Sequence, residues 1–476
     1  MTPRNTKPAI VGTLPVTALM AVHLRGRQKS LGIRTTRPVR TKSVAVIGAG
    51  IAGLTAAYEL SKSGADVTVF EASERVGGRM STDRCDGYLI DRGAQFLSDG
   101  YEVIGRLIAE TGLQRELHAT SLLGGTVRDG RIRRVNRRMP TSIVGSGLLG
   151  PIAALRLAAE SLKLRARSAE LSLSDYSAWR AFDDCPAEDW LRARFGSEAL
   201  EYVFEPMIAG FYFQEPEQVS AALAAWVWNY AMRGHGSLAL ENGIGSLPDA
   251  LASKLNVRLS SPVRSVRALG EEGVEISLDG GTIEADDAIL AVPAPAARSA
   301  YAARTDAERR LLQTRYSSTI NAALIFDDRL PDLPAARSIY GLLVPRSERR
   351  AIAGIGIESR KCASYVPRGE LLNVMFDGIS GERLIGSSDE QILAEIFSEI
   401  EIYFPGIGGV SRTYLHRWQN AEPYSYVGRS RDVREYRLSA CASSHVLLCG
   451  DYMSTPTTEG AAESGAWAAD VIRSRN

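Results

Sequence analysis

A glycine-rich turn between an apolar run and a helix-forming stretch limits most strongly what this chain can fold into. Residues 44–47 are continuously apolar, as expected for a strand that is buried on both faces. Gly48, Gly50 and Gly53 then fit the pattern G-x-G-x-x-G. They permit, in turn, a sharp bend, a close backbone approach to a pyrophosphate, and close packing of the next helix on the strand. The segment therefore predicts the phosphate-binding turn of a βαβ unit.

The residues after this turn indicate which ligand it binds. Residues 52–62 are predicted to form a helix whose N-terminus offers free N–H groups and a positive dipole end to phosphates. Residues 67–70 predict a second strand, and Glu71 follows it, 23 residues after Gly48. A carboxylate at about this spacing binds a ribose hydroxyl and disfavours the 2′-phosphate of NADP. We therefore predict that a dinucleotide binds here.

Composition excludes several classes of protein. The 476 residues are too many for one simple core, so two domains are expected. The net charge of +1 gives no overall field for binding nucleic acid. The five cysteines and five histidines are scattered, without the spacing of metal ligands. We therefore predict no metal site, and reduced thiols in a cytoplasmic protein.

The N-terminal segment differs in composition from the rest of the chain. Residues 1–43 carry nine Lys or Arg and no acid, and the first acidic residue is Glu59. Residues 1–42 therefore fit a disordered basic tail, a leader for organelle or export targeting, or a start codon assigned too early. The sequence contains no run of about 18 apolar residues, so it predicts no membrane-spanning helix.

Two segments combine basic side chains with regular structure. Asp129-Gly130 separates two extended runs and predicts a hairpin that carries a basic cluster of Arg131, Arg133, Arg134, Arg137 and Arg138. Residues 147–170 are rich in leucine and alanine at helical spacing, with basic side chains between them. We interpret these segments as a solvated hairpin face and an ordinary packed helix. The alternatives are an acidic substrate or a membrane surface at the hairpin, and a peripheral membrane contact at the helix.

Apolar runs along the remaining chain predict its domain organisation. An α/β dinucleotide-binding domain with a doubly wound sheet would combine residues 43–100, 240–295 and 440–476. A helical insertion, 101–239, and a sheet-rich insertion, 296–439, would together form the substrate domain. The strands predicted outside the first βαβ unit are 257–259, 263–266, 274–278, 288–292, 319–326, 339–344, 351–357, 371–376 and 446–448. Helices are also predicted at 186–205, 217–232, 389–404 and 459–472.

Three motifs together resemble one known superfamily. They are GAGIAGLTAAYEL with FEASERVGGRMST, ENGIGSLPDALASKL with RLSSPVRSV, and VLLCGDYMSTPTTEGAAESGAWAA. Over nearly all of residues 43–475 the chain resembles the flavin amine oxidase, protoporphyrinogen oxidase and phytoene desaturase superfamily. The resemblance implies FAD rather than NAD, because NAD enzymes need neither the R-x-G-G-R extension nor the C-terminal motif. It also implies a Rossmann-like FAD-binding domain with an inserted α+β substrate domain.

The resemblance implies which residues hold FAD. The pyrophosphate and adenosine ribose fall on the first motif, adenine on the second, and the flavin on residues after the first motif and in the third. The implied FAD-binding residues are Gly48, Gly50, Ala52, Gly53, Glu71, Gly78, Arg79, Gly93, Ala94, Gln95, Phe96, Val263, Gly450, Asp451, Glu459, Gly460 and Ala461. The helix that begins near Glu459 would direct its positive end at a flavin carbonyl.

Within the superfamily the chain is most similar to the protoporphyrinogen oxidase branch. PMIAGFYFQEPEQVS at 206–220 and RWQNAEPYSYVG at 417–428 carry this similarity. Residues 419–435 contain no cysteine, so FAD is predicted to be non-covalent, unlike the flavin of monoamine oxidases. Thr458 stands where the amine branch carries a cage tyrosine, and the strands predicted in the second insertion lack that branch's lysine over the flavin.

The predicted reaction is hydride transfer from a small organic substrate to flavin N5, after which O2 or another acceptor reoxidises the flavin. No residue is identified as a catalytic base; the candidates are Tyr424, Tyr426 and Glu459. Tyr424, Tyr426 and Trp418 are also candidate pocket walls. The alternatives are a flavin amine or amino-acid oxidase, a carotenoid-type desaturase, and a non-catalytic binding protein on the same fold, as in Rab GDP-dissociation inhibitors.

Overall fold

Strands and helices alternate along the chain in a mixed α/β order. The structure is a computed structural model that describes residues 41–475. Its strands are β1 (Ser43–Ile47), β2 (Asp66–Phe70), β3 (Thr82–Cys85), β4 (Tyr88–Asp91), β5 (Leu97–Ser98), β6 (Leu117–Ala119), β7 (Leu123–Arg128), β8 (Arg131–Asn136), β9 (Ser237–Leu240), β10 (Asn256–Arg258), β11 (Val263–Ala268), β12 (Val274–Leu278), β13 (Gly281–Ala285), β14 (Asp287–Leu290), β15 (Thr319–Phe326), β16 (Ile339–Leu343), β17 (Ile352–Ile357), β18 (Glu370–Phe376), β19 (Val410–Trp418) and β20 (Val446–Leu448). Its helices are α1 (Ile51–Lys62), α2 (Val103–Thr111), α3 (Pro151–Ser168), α4 (Ala187–Phe195), α5 (Ser197–Ala199), α6 (Glu205–Tyr212), α7 (Ala221–Met232), α8 (Ser246–Ala252), α9 (Ala294–Ala300), α10 (Asp306–Leu312), α11 (Gly378–Leu384), α12 (Asp389–Tyr403), α13 (Arg429–Ser443) and α14 (Thr458–Ser474).

Five strands from three distant parts of the chain form one parallel sheet, in the order β10-β2-β1-β14-β20. Val46 pairs with Ile289, and Ile289 pairs with Leu447. The strands β1, β14 and β20 are apolar almost throughout because their side chains are buried on both faces. The sheet contains the strands predicted at 44–47, 67–70, 288–292 and 446–448, with ends shifted by at most two residues.

Helix α1 packs closely against the turn before it and against α14. A Cβ atom on Gly53 would lie 2.0 Å from the carbonyl oxygen of Gly48. A Cβ atom on Gly465 would lie 2.1 Å from the carbonyl oxygen of Ala52. Only glycine leaves room at these two positions, so the first and last helices of the fold approach each other backbone to backbone.

A second sheet has seven strands, in the order β19-β15-β18-β17-β16-β7-β8. Its pairs are antiparallel except β16 with β7, which are parallel. The predicted hairpin is present as β7 and β8, and its turn residues Asp129 and Gly130 both have positive φ. The hairpin precedes the other five strands by more than 180 residues, so both predicted insertions contribute to one sheet.

A helical layer packs around aromatic side chains. Its core includes Trp179, Phe195, Phe204 and Trp228. The ring centroid of Phe204 lies 4.7 Å from that of Phe195 and 5.1 Å from that of Trp228. The single helix predicted at 186–205 is wrong, because α4 ends at Phe195 and a short α5 and a π-helical turn precede α6. The sequence prediction also omitted α13 and β19.

Four sequence expectations concern the N-terminal segment, membrane-spanning helices, metal ligands and cysteines. Of the leader predicted over residues 1–42, residues 1–40 lie outside the described part of the chain. No described helix is long and apolar enough to cross a membrane. Within residues 41–475, no three or more His, Cys, Asp or Glu side chains are grouped to hold a metal ion. Among the cysteines whose side chains the structure describes, Cys85, Cys185, Cys362 and Cys449 form no disulfide.

The close contact of α1 with α14 predicts that Gly465→Ala is destabilising. The added methyl group would overlap the Ala52 carbonyl, so we expect the free energy of unfolding to fall by about 1–3 kcal/mol. The matched control is Gly105→Ala in α2, where nothing lies within 4 Å of the added Cβ; helix propensity should make it neutral or up to about 1 kcal/mol stabilising. Urea unfolding of both variants checks this, and equal stabilities would contradict it.

Candidate active site

A cavity of about 730 Å³ opens at the carboxyl ends of the parallel strands. The residues that follow these strands line one of its ends: Gly48 after β1, Glu71 after β2, Ala291 after β14 and Gly450 after β20. Adjacent parallel strands end at the same edge of a sheet, and this edge is where α/β proteins bind ligands. We call this end of the cavity the cradle.

Two helices begin at the cradle. Gly50 is the N-cap of α1 and makes no side-chain cap, and Ile51 and Ala52 in the first turn line the cavity. Thr457 is the N-cap of α14, and Thr458 and Ala461 line the cavity. The positive ends of two helix dipoles therefore face the same space, which favours an anionic ligand.

Glycine at position 50 leaves the cradle open. A Cβ atom built on Gly50 meets no protein atom within 4 Å. The space is open even though Gly50 directly precedes α1 and forms an isolated β-bridge with Gly77. Space beside bare backbone is what a pyrophosphate needs in order to approach the first turn of α1. The cradle thus fits the diphosphate of FAD.

Glu71 is held by the backbone at the end of β2. Its Oε2 accepts from Ala49 N at 2.8 Å, and its Oε1 accepts from Ser73 N at 2.9 Å and Ser73 Oγ at 2.8 Å. A carboxylate has about four acceptor sites, so one remains for a hydroxyl group. The residue lines the cavity and fits the predicted ribose contact.

A charged cluster forms the wall of the cradle that faces the helix ends. Arg79 Nη1 donates to the Ala421 carbonyl at 2.6 Å and to Asp451 Oδ2 at 2.5 Å, and Tyr316 donates to Asp451 Oδ1 at 3.0 Å. Burial alone would lower the pKa of Arg79. The attraction of the nearby Asp451 and Glu422 carboxyl groups is larger than this effect of burial, so the pKa is raised. Arg79 is therefore a permanent cation at the cradle.

Glu422 adds a carboxyl group to the same wall. Burial raises its pKa well above the ordinary value; Arg79 opposes the shift, and Asp451 increases it. At a pH where ordinary glutamates are ionised, Glu422 can therefore remain protonated. A neutral carboxyl avoids the repulsion that a second carboxylate would exert on an anionic ligand.

A buried ionic network fixes the segment that carries Gly93, Ala94, Gln95 and Phe96. Lys361 Nζ donates to Asp91 Oδ2 at 2.6 Å and to Glu358 Oε2 at 2.8 Å, and all three side chains are fully buried. Burial raises the pKa of Glu358 to about 7, and Lys361 opposes this shift. Lys361 does not line the cavity, so it positions the strand before the segment and does not face a ligand.

The other end of the cavity, which we call the outer chamber, is aromatic. Phe96, Phe211 and Tyr340 meet edge to face, with centroids 5.9 and 6.4 Å apart. Trp226 and Tyr230 stack on each other and also line the cavity. Flat apolar walls of this kind suit a flat apolar ligand.

Arg137 is the guanidinium of the outer chamber. Its Nη1 donates to Ser237 Oγ at 2.6 Å, its Nη2 donates to Thr120 Oγ1 at 2.8 Å, and it lies over the Tyr340 ring. No carboxylate of residues 41–475 pairs with it, and burial lowers its pKa. The acids that line the cavity are Glu71, Glu422 and Asp451, all at the cradle.

Most residues that the resemblance assigned to FAD meet at this cavity. They come from two distant parts of the chain, residues 48–96 and 450–461, and the middle part adds Ala291 after β14. Those that line it are Gly48, Gly50, Ala52, Glu71, Gly78, Arg79, Gly93, Ala94, Gln95, Phe96, Gly450, Asp451 and Ala461. Gly53 lies behind the turn, where it permits the packing of α1. Trp418, a predicted pocket wall, also lines the cavity.

Glu459 does not face the cavity. Its carboxylate accepts from the backbone N–H groups of Glu102, Val103 and Ile104 at 2.8–2.9 Å, and from Ser174 Oγ at 3.0 Å. It therefore stabilises the N-terminus of α2, and the structure does not support it as a base or a flavin ligand. Gly460 donates its N–H to Thr457 Oγ1 within the cap of α14 and is not at the cavity surface either.

Three other predicted residues also lie outside the cavity. Tyr424 packs on the helical core under Arg315, and Tyr426 donates its hydroxyl to Asp432 at 2.8 Å. Both were predicted as pocket walls and candidate bases, and the fold directs their side chains elsewhere. Val263 begins β11 in the three-stranded sheet β11-β12-β13 and does not line the cavity.

Sequence reasoning missed two charged residues of the site. Glu422 lies within RWQNAEPYSYVG, in which only Trp418, Tyr424 and Tyr426 were predicted to be site residues. Arg137 was one of five basic residues in the hairpin cluster, and nothing in the local pattern separates it from its neighbours. The structure shows that Arg137 is the one of the five that lines the cavity.

Comparisons with known proteins agree over nearly the whole chain. Residues 51–473 match the family model described as flavin containing amine oxidoreductase. A coproporphyrinogen III oxidase of Bacillus subtilis (strain 168) is 25% identical over 457 residues, which cover 88% of this chain and 94% of that protein.

Two solved structures show the same fold. One, a protein of Exiguobacterium sp. 255-15 provisionally named protoporphyrinogen oxidase, has a TM-score of 0.75 at 22% identity and covers 91% of this chain and 99% of its own. The other is cyclohexylamine oxidase of Brevibacterium oxydans IH-35A, with a TM-score of 0.71 at 18% identity. The match covers 91% of this chain and 99% of that oxidase. Folds this similar therefore occur in proteins named for different substrates.

The open space at Gly50 predicts a variant that folds but does not hold FAD. In Gly50→Val the added Cβ would meet no protein atom within 4 Å, so the fold should survive while the side chain excludes the pyrophosphate. Gly145→Val is the control, since nothing lies within 4 Å of its Cβ and it is not at the cradle. Circular dichroism and the flavin absorbance of the purified variants check this; a fully yellow Gly50→Val protein would refute it.

The raised pKa of Glu422 predicts that FAD binds less tightly as the pH rises through that pKa. Below that pKa the carboxyl is neutral and affinity is constant; above it the carboxylate repels the diphosphate, so affinity falls by up to about tenfold per pH unit. Fluorescence titration of the FAD-free protein across pH measures this. Glu422→Gln should abolish the dependence, and the exposed Glu401→Gln should keep it. An identical pH profile for all three proteins would contradict the assignment.

Proposed function

We propose that this chain, which belongs to the flavin containing amine oxidoreductase family, oxidises a porphyrinogen that carries carboxylate side chains. It is an FAD-dependent oxidoreductase of the protoporphyrinogen oxidase type. When bound, FAD accepts the electrons and hydrogen that leave the substrate, and O2 or another acceptor later takes them.

The distribution of charge in the cavity carries the proposal. The outer chamber holds a partly buried guanidinium, that of Arg137, and none of its described lining residues is an acid. Such a chamber attracts a carboxylate and disfavours an ammonium group. This observation supports an acidic substrate over the amine alternative, and a porphyrinogen combines carboxylates with a broad apolar body.

Each part of the cavity has a distinct task in this proposal. The helix ends and Arg79 bind the anionic part of FAD and fix its position. Phe96, Phe211 and Tyr340 orient the apolar body of the substrate and exclude water from it. Arg137 holds a carboxylate at the far end, so that one edge of the substrate is turned toward the cradle.

The FAD-loaded protein should convert coproporphyrinogen III or protoporphyrinogen IX to a fluorescent porphyrin with consumption of an acceptor. Putrescine, cyclohexylamine and a polyene should give no acceptor consumption above the background. Porphyrin fluorescence and an oxygen electrode measure the two sides of the reaction. Rapid turnover of an amine, with no porphyrin formed, would overturn the proposal in favour of an amine oxidase.

Arg137→Leu should reduce kcat/KM for coproporphyrinogen III by about 10- to 100-fold, mainly through KM, because one charge-assisted hydrogen bond to a carboxylate is lost. Arg137→Lys should restore part of the loss. Arg134→Leu, on the exposed hairpin, is the matched control and should behave like the natural protein.

The tetraethyl ester of coproporphyrinogen III separates charge from shape. If Arg137 recognises a carboxylate, the ester should be oxidised equally well by the natural protein and by Arg137→Leu. A parallel loss for acid and ester would show that Arg137 acts only through the packing of Tyr340.

A further inference from the structure

Arg349 is a buried arginine that contacts three carboxylates. It lies in the connection between β16 and β17, and its side chain is 4% exposed. Its Nη1 donates to Glu205 Oε1 at 2.7 Å, and its Nη2 donates to Glu215 Oε1 at 3.3 Å. Its Nε donates to Asp377 Oδ2 at 3.0 Å. We call these four side chains the Arg349 cluster; none of them lines the cavity.

Two of these carboxylates lie at opposite ends of one segment of the chain. Glu205 is the first residue of α6, and Glu215 follows the end of α6 at Tyr212. Both carboxylates also accept from Arg346 in the same β16–β17 connection, Glu205 from its backbone N at 3.0 Å and Glu215 from its Nη2. Buried carboxylates require such partners, because an unpaired buried charge is strongly destabilising. Residues 205–215, which we call the wall segment, are therefore fixed at both ends to the seven-stranded sheet.

The wall segment forms one side of the outer chamber. The residues of this segment that line the cavity are Met207, Gly210, Phe211, Tyr212 and Phe213. Phe211 meets Phe96 edge to face, with ring centroids 5.9 Å apart. A Cβ atom on Gly210 would lie 2.6 Å from Leu343 Cδ2, so α6 packs directly on β16. The position of the wall segment therefore sets the width of the chamber.

Phe213 has a strained backbone at the end of α6. Its φ of 55° and ψ of 41° lie in the left-handed region, which bulky side chains rarely adopt and which persists only where the surroundings hold it. Its carbonyl oxygen would lie 2.1 Å from a Cβ atom on Gly378. Glu215 stands two residues after Phe213, and Asp377 directly precedes Gly378. Both sides of this close contact are thus tied to Arg349.

We infer that Arg349 is a positioning residue for the outer chamber. By holding both ends of the wall segment, it keeps Phe211 and Phe213 at the spacing that a broad, flat substrate requires. A wall that is already in place loses little conformational freedom when the substrate binds, so the affinity is higher. The identity of the substrate rests on the proposed function, whereas the positioning of the wall segment does not.

The first test measures how firmly the wall segment is held. In FAD-loaded protein without substrate, Arg349→Leu and Glu215→Gln should speed hydrogen exchange of the amides in residues 207–213 at least about fivefold, because the segment then opens more often. Mass spectrometry of the natural protein and of both variants measures this exchange.

Glu308→Gln is the matched control for a loss of stability elsewhere. Glu308 is 2% exposed and accepts from the backbone N–H groups of Arg304 and Thr305 at 2.6 and 3.1 Å, away from the wall segment. This variant should lower the melting temperature but leave exchange in residues 207–213 unchanged.

The second test measures affinity for coproporphyrin III, the product of the proposed oxidation, whose binding needs no turnover. Arg349→Leu and Glu215→Gln should raise its Kd about 5- to 20-fold, since two aromatic side chains must then be ordered on binding. Arg349→Lys, which keeps the charge, should recover part of the affinity. Quenching of tryptophan fluorescence at pH 8 measures Kd; burial raises the pKa of Glu205 to about 7, and Arg349 opposes the shift, so Glu205 is ionised at this pH.

Turnover separates positioning from a general loss of structure. With coproporphyrinogen III, KM should rise by the same factor as Kd in Arg349→Leu and Glu215→Gln, while kcat stays within about twofold. Glu308→Gln should change neither constant.

Unchanged exchange and affinity in the folded variants would overturn the inference, and so would an equal loss of affinity in Glu308→Gln. If Arg349→Leu does not fold, Glu215→Gln and Arg349→Lys decide the test. A natural protein that does not bind coproporphyrin III would also overturn it. A natural protein that binds coproporphyrin III but oxidises no porphyrinogen would contradict the proposed function alone.

Discussion

Parallel pairing of β1 with β14, and of β14 with β20, is the constraint on which the rest of this structure depends. The pairing brings strands that lie more than 150 residues apart in sequence to one sheet, and it aligns their carboxyl ends. Gly48, Ala291 and Gly450 consequently meet at one edge. Because α1 and α14 each begin just beyond this edge, two helix dipoles point at the same space without any side chain having to create the field.

The cradle and the outer chamber of the cavity differ in how their charged side chains are paired. At the cradle, Asp451 pairs with Arg79 and Glu71 accepts backbone N–H groups, while burial raises the pKa of Glu422 and so favours its neutral form; the positive ends of the two helices still face the ligand. At the outer chamber, Arg137 is satisfied by hydroxyl and carbonyl groups only. No carboxylate of residues 41–475 therefore pairs with it, and a partly buried, unpaired cation at a cavity wall favours an anionic ligand.

The sequence predicted the elements with strong local patterns. Residues 44–71 could be interpreted in advance because each glycine and the final carboxylate have a separate physical reason. Helix α13 was missed because few of its side chains are apolar; Val433, Tyr436 and Ala440 are its described buried apolar residues. Strand β19 lacks clear alternation, and only its pairing with β15 makes it a strand.

The site itself was less predictable than the sheet. Glu459, Tyr424 and Tyr426 belong to motifs near the cavity, but motif membership does not fix the direction of a side chain. The Glu459 carboxylate accepts from the N–H groups at the start of α2, and the Tyr426 hydroxyl donates to Asp432, so both side chains are engaged away from the cavity. Conversely, Arg137 reaches the cavity only because the β7–β8 hairpin joins a sheet formed by residues 180 or more positions later.

The central claim is that three distant parts of the chain form one FAD site. Hydrogen exchange measured by mass spectrometry on FAD-loaded and FAD-free protein tests it most directly, because backbone amides in each part are reported separately. The account predicts that FAD slows exchange together in residues 48–53, in 291–293 after β14, and in 450–461. Protection confined to residues 48–53, with exchange at 450–461 unchanged, would contradict it.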